Sequence, residues 1–110
     1  MFNLWQRVGG ISDEEKTPKT RLIDIVAKLS SKIKTSAAAA MGSNDAGLFE
    51  NDSVDALAYK SQVVAGTNYF VRVRIGNTFF HVRIYEGFQG VPEVTRVVGP
   101  KSETDPIEYF

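Results

Sequence analysis

Tyr69-Phe70-Val71-Arg72-Val73-Arg74-Ile75-Gly76-Asn77-Thr78-Phe79-Phe80-His81-Val82-Arg83-Ile84-Tyr85-Glu86 is the stretch on which the architecture of this chain turns. Tyr69, Val71, Val73 and Ile75 alternate with Phe70, Arg72 and Arg74, the two-residue period of a strand with one apolar face and one face bearing two arginines. Gly76-Asn77 then interrupts the alternation with two residues that tolerate positive φ, the chemistry of a hairpin turn. The return strand is expected from Thr78 to Glu86, with Phe80, Val82 and Ile84 in the core and Phe79, His81, Arg83 and Tyr85 facing outward.

Upstream of this hairpin, Val54, Ala56 and Ala58 alternate with Asp55, Leu57 and Tyr59 in a weaker strand that leads through Lys60-Ser61 into Gln62-Val63-Val64-Ala65-Gly66. Further upstream the period changes. Leu22, Ile25, Val26, Leu29 and Ile33 recur at three- and four-residue steps, one apolar stripe of a helix. Thr17-Pro18 supplies a hydroxyl N-cap followed by proline at the first helical position, so the helix is expected to begin there. It runs toward Ala37–Ala40 and is stopped by Gly42, Ser43, Asn44 and Gly47. Residues 1–16, with the pair Gly9-Gly10 and the cluster Asp13-Glu14-Glu15, show neither period and are expected to form a mobile arm. Downstream, Gly87 to Pro92 makes a second loop, Val94 to Val98 a short strand, and Lys101 to Pro106 a polar stretch before Ile107-Glu108-Tyr109-Phe110. One helix followed by hairpin-linked strands implies α+β: a long helix packed on the apolar face of a four- to five-stranded antiparallel sheet, in a single domain over residues 1–110.

Composition narrows the function classes. The 110 residues are 43% hydrophobic and 24% charged, enough for one apolar core without staples. Cysteine is absent, which removes a disulfide framework, a thiolate metal site and a thiol nucleophile together, and suits a reducing compartment. Thirteen basic residues balance thirteen acidic ones, whereas binding nucleic acid or an anionic membrane by counterion release requires a basic excess. Arg72, Arg74, Arg83 and His81 beside Phe70, Phe79 and Tyr85 resemble a stacking and charge surface, but a wet sheet face needs polar groups in any case. No apolar run is long enough to span a membrane, and the N-terminus has no signal-peptide pattern, so the expected compartment is the cytoplasm.

Catalysis has little to work with. A nucleophile needs a base held beside it, and the single histidine, His81, lies mid-strand, where packing is its expected role. One histidine and scattered carboxylates make no metal site, and no phosphate-cradling glycine loop is present; no cofactor is expected. The segment Gln62 to Gly66 is different. Either it is an exposed loop tip, whose valines imply a partner, or it is buried strand.

Lys60-Ser61-Gln62-Val63-Val64-Ala65-Gly66-Thr67-Asn68-Tyr69-Phe70 resembles the central segment of the cystatins, inhibitors of papain-like cysteine peptidases, whose signature is Gln-Val-Val-Ala-Gly. The likeness extends over most of residues 8–110: a glycine pair near the N-terminus, a helix before the motif and a hairpin after it. Lack of cysteine and the ending Ile107-Glu108-Tyr109-Phe110 make it similar to the stefins, the intracellular branch. The resemblance implies a helix wrapped by an antiparallel sheet, and a wedge that fills the peptidase cleft. The wedge would consist of Val8 and Gly9 in the arm, Gln62, Val63, Val64, Ala65 and Gly66 in the first loop, and Phe88 in the second. Gly66 and the valine pair Val63-Val64 are expected to act on affinity and not on folding. Partners would be peptidases of the cathepsin L and B type, with a monomer as the working form and a domain-swapped dimer as the alternative. The second loop departs from the pattern: stefins carry Leu-Pro, while Phe88 and a displaced Pro92 stand here. That departure leaves as the alternative reading a cystatin-fold binding module with lost or redirected inhibition, which could include legumain, because Ser43-Asn44-Asp45 is similar to the site by which some secreted cystatins block that peptidase.

Overall fold

A computed structural model describes residues 10–110. Its helix comes in two pieces, α1 (Thr20–Lys28) and α2 (Ser30–Ala40), meeting at Leu29. Leu29 leaves helical geometry at φ −95° and ψ 7°, yet it donates to the Ile25 carbonyl at 3.0 Å and accepts from the Ile33 amide at 2.9 Å. The i to i−4 ladder therefore crosses the irregularity, and the single apolar stripe survives it. Leu22, Ile25, Val26, Ile33, Ala37 and Ala38 are all buried along that stripe.

The helix does not begin at Pro18. Lys16 exchanges two backbone hydrogen bonds with Tyr59, at 2.8 and 2.9 Å, which keeps the chain extended past Thr17, and Lys19 takes the N-cap position. Residues 11–16, expected as part of a free arm, are instead seated along the first strand through bridges Ile11 to Gln62 and Lys16 to Tyr59.

Four strands follow, β1 (Val54–Val64), β2 (Gly66–Ile75), β3 (Thr78–Glu86) and β4 (Glu93–Lys101), each antiparallel to the next in the order β1-β2-β3-β4. This is the α+β arrangement expected, with β4 longer than the Val94–Val98 segment read from the sequence. α1 packs over β1 and α2 over β4, so the helix crosses the sheet. Val71, Val73, Ile75, Phe80, Val82 and Ile84 fill the space between them. The connection after the helix joins this core: Phe49 meets Phe80 edge to face at 5.8 Å, and Lys34 Nζ donates to the carbonyls of Glu50 and Asp52, both at 3.1 Å. At the β2–β3 turn only Gly76 takes positive φ, +60°, as a type II′ turn requires of its first central residue, so Asn77 keeps ordinary geometry.

The second face of the sheet is not wet, as the alternation alone implied. Phe70 is fully buried, Arg72 is 7% exposed and His81 2%. The covering comes from the chain's own end: Ile107 is fully buried, Phe110 lies edge-on to Phe70 at 5.4 Å, and Arg83 donates to the Phe110 carbonyl at 2.6 Å. Arg72 is held by Glu15. Phe70, Arg72 and Arg83 are thus engaged inside the molecule, while Arg74 pairs with Asp55 at an exposed end of the same face.

Candidate functional site

Antiparallel order puts alternate turns at opposite poles. β1 ends and β2 begins at the same pole where β3 ends, because Thr67 pairs with Glu86. The first turn and the Gly87–Pro92 loop are therefore neighbours, and the Ile11–Gln62 bridge delivers the chain beside them at Gly10.

The first turn is as short as a hairpin allows: Val64 pairs with Gly66, leaving Ala65 at the apex. Val63 is 66% exposed, Ala65 is exposed and Val64 half-buried, which decides between the two readings of this segment in favour of an exposed tip. Gly66 has φ +111°, and a Cβ on it would lie 2.3 Å from the Glu86 carbonyl oxygen and 2.8 Å from Gly87 Cα. The tip is thereby wedged against the root of the second loop. Four more hydrogen bonds brace it. The Tyr85 hydroxyl donates to the Ala65 carbonyl, Asn68 Nδ2 donates to Gln62 Oε1 at 2.9 Å, and Glu86 accepts from Arg21 and from the Tyr69 hydroxyl. Burial, then the Glu86 charge, pushes the Tyr69 phenol up, so it stays a donor at neutral pH.

Beyond the brace, the second loop presents two apolar side chains to solvent, Phe88 and Val91, each 85% exposed. Of the expected site residues, the structure brings together Gln62 to Gly66 and Phe88 at this pole, while Val8 and Gly9 lie outside the described residues. Gln62 is 5% exposed, so its side chain supports the tip from within. Val91 is not among the expected contacts, since Gly90 and Pro92 on either side mark it only as loop, and neither is Tyr85, whose bracing role depends on the register of β3 against the tip.

Ser43, Asn44 and Asp45 lie at the other pole, in the connection between α2 and β1. Asn44 is exposed. The turn around it is fixed by Asp45 N donating to Ser43 Oγ at 3.0 Å and Gly47 N donating to Asp45 Oδ1 at 2.9 Å. His81 sits beneath Phe110, far from either loop pole in the pairing order, and its pKa falls to about 4 because burial, and then the Arg72 charge, disfavour the imidazolium. Among the described residues no three metal-ligating side chains converge, and no helix is long and apolar enough to cross a membrane.

An antiparallel sheet that carries a helix across one face and gathers two apolar loops at one pole defines a class, and comparison with known proteins agrees with it. The Cystatin domain family matches residues 42–95. Cystatin-A2 of Dictyostelium discoideum is 36% identical over 104 residues, covering 94% of this chain and 98% of that one. Leukocyte cysteine proteinase inhibitor 1 of Sus scrofa is 35% identical over 63 residues, covering 54% and 61%. Cystatin-B of Homo sapiens is 39% identical over 62 residues, covering 50% and 60%. The chain belongs to the cystatin family, its relatives are of the stefin type, and it contains no cysteine, consistent with a disulfide-free member of that type.

Proposed function

We propose that this protein is a reversible, tight-binding inhibitor of papain-like cysteine peptidases of the cathepsin L and B type, and not an enzyme. The observation that carries the reading is the pole itself: Val63 and Ala65 stand exposed on a braced turn, Phe88 and Val91 on the loop next to it, with Gly10 beside them. The named activity of the Sus scrofa relative supports it. Side chains of this size bury enough apolar area, at about 25 cal/mol per Å², for several kcal/mol of gross stabilisation in a cleft. A turn already braced loses little freedom on docking.

In the proposed complex Val63, Val64, Ala65 and Phe88 fill the cleft around the catalytic thiol, Gln62 and Gly66 hold the tip in shape, and Gly9 lets the arm bend so that Val8 occupies a substrate-like subsite on the non-primed side. The turn presents no peptide bond in line with the thiol, so the inhibitor is not consumed, and no cofactor is involved. A cysteine-free chain suits the cytosol as its compartment. The test is a titration of papain with purified monomer. Stoichiometric inhibition by protein recovered uncleaved is expected; papain left fully active at micromolar monomer, with cathepsins B and L also active, overturns the reading.

A second reading concerns the opposite pole. Asn44, exposed on a turn fixed by its two neighbours, is presented as an asparagine-specific peptidase such as legumain would require. Legumain inhibition that disappears in Asn44→Ala, with papain inhibition intact, is the expected result; a parent protein without effect on legumain removes this reading.

A further inference from the structure

The Glu15 carboxylate is where both ends of the described chain meet the sheet. It accepts from Arg72 Nη1 at 2.9 Å and from Nη2 at 3.1 Å, and its Oε2 also accepts from the Ile107 backbone N–H at 3.2 Å. The same Nη2 donates to the Asp105 carbonyl. Arg72 stands mid-strand in β2 opposite His81, with its side chain 9% exposed, while the Glu15 side chain is 32% exposed. One acidic side chain thus ties together the N-terminal segment, the central sheet and the C-terminal segment, and supplies the counter-charge of a buried guanidinium.

The segment that Glu15 fastens is the one that reaches the loop pole. Ser12 N donates to the Ser61 carbonyl at 2.8 Å, Ser61 N donates to Ser12 Oγ at 3.0 Å, and Ile11 bridges Gln62. Asp13 and Glu14 between these contacts are exposed. Arg72 holds the Glu15 carboxyl below its ordinary range, so the clamp persists into mild acid.

We propose that Glu15 is a positioning residue for peptidase inhibition: by clamping residues 10–16 to Arg72 and Ile107, it fixes the direction in which the chain leaves the sheet at Gly10. The inference rests on the inhibitory function proposed above. An arm aligned before contact loses less freedom on docking, and the benefit appears in the dissociation rate.

The test is Glu15→Gln in the full chain, alone and combined with Val8→Asp, read by dissociation of the papain complex and by amide exchange of the free protein. Glu15→Gln is expected to speed dissociation about tenfold, equivalent to roughly 1.4 kcal/mol, and to add less than about twofold in the Val8→Asp background, where the arm no longer docks. Exchange at the Ser12 and Lys16 amides accelerates while Val71 and Val82 stay protected. An equal acceleration of dissociation in both backgrounds, or none in either, overturns the inference alone, as does unchanged exchange at Ser12 and Lys16. Val8→Asp dissociating as slowly as the parent overturns it by removing the arm. Papain untouched by the parent overturns the functional reading and this inference with it. Should Glu15→Gln open the core, seen as exchange at Val71 and Val82, Glu15→Asp keeps the charge with a shorter reach and is read in the same way.

Discussion

Gly66 meets two demands at once, a backbone at φ +111° and an approach to the Glu86 carbonyl that leaves no room for a methyl group. Gly66→Ala must therefore move either the tip or the end of β3, and the expectation that this residue bears on affinity without touching the fold does not survive the geometry. We expect a loss of roughly 2 kcal/mol or more in stability, seen in denaturant unfolding, together with weaker peptidase inhibition. Val63 behaves in the opposite way. At 66% exposure it contributes little to the core, so Val63→Asp leaves the melting temperature within a few degrees of the parent and weakens papain inhibition by orders of magnitude. A melting curve and an inhibition titration on the two variants separate the roles of neighbouring residues in one motif. The pentapeptide was legible in the sequence as a motif, but its division into brace and contact was not, because Glu86 lies twenty residues further along the chain.

At the scale of elements, the hairpin, the helix stripe and the layer they build were legible because alternation and the three- to four-residue step report directly which side chains share a face. What covers the second face was not legible. Alternation placed His81 and Arg72 opposite the core, and only the return of Ile107 and Phe110 across β2 and β3 makes that side an interior. The start of the helix failed for a related reason: Lys16 pairs with Tyr59, a contact between distant parts of the sequence that overrides the local cap signal at Thr17-Pro18. The covered face has a pH signature. His81 titrates at about 4 in the fold against an ordinary 6.5, with Arg72 and Lys101 adding to the burial and Asp105 and Glu15 opposing it. Between those values the unfolded chain binds a proton that the folded one refuses, so stability falls as pH falls from 6.5 toward 4, by roughly 3 kcal/mol at most. Urea midpoints measured across that range should show the slope in the parent and a flatter line in His81→Gln. Glu15, with its lowered carboxyl, adds a further loss at still lower pH.

For the whole molecule, the short tip joining β1 to β2 raises the question of exchange between chains. If that turn straightens, β1 and the helix before it can pair with a second copy, and the apex at Ala65 ceases to exist as a loop. A dimer fraction isolated by gel filtration is therefore expected to have lost papain inhibition that the monomer retains; a dimer as potent as the monomer would show that the tips remain free within it. The antiparallel order also has a practical side. Asn77 is exposed at the pole away from Ala65 and Phe88, and the sequence contains no thiol. A cysteine introduced at Asn77 would be the one thiol in the sequence, so a dye or a sensor chip attached through thiol-selective chemistry would hold every molecule in a single orientation, with its loops turned toward the solution.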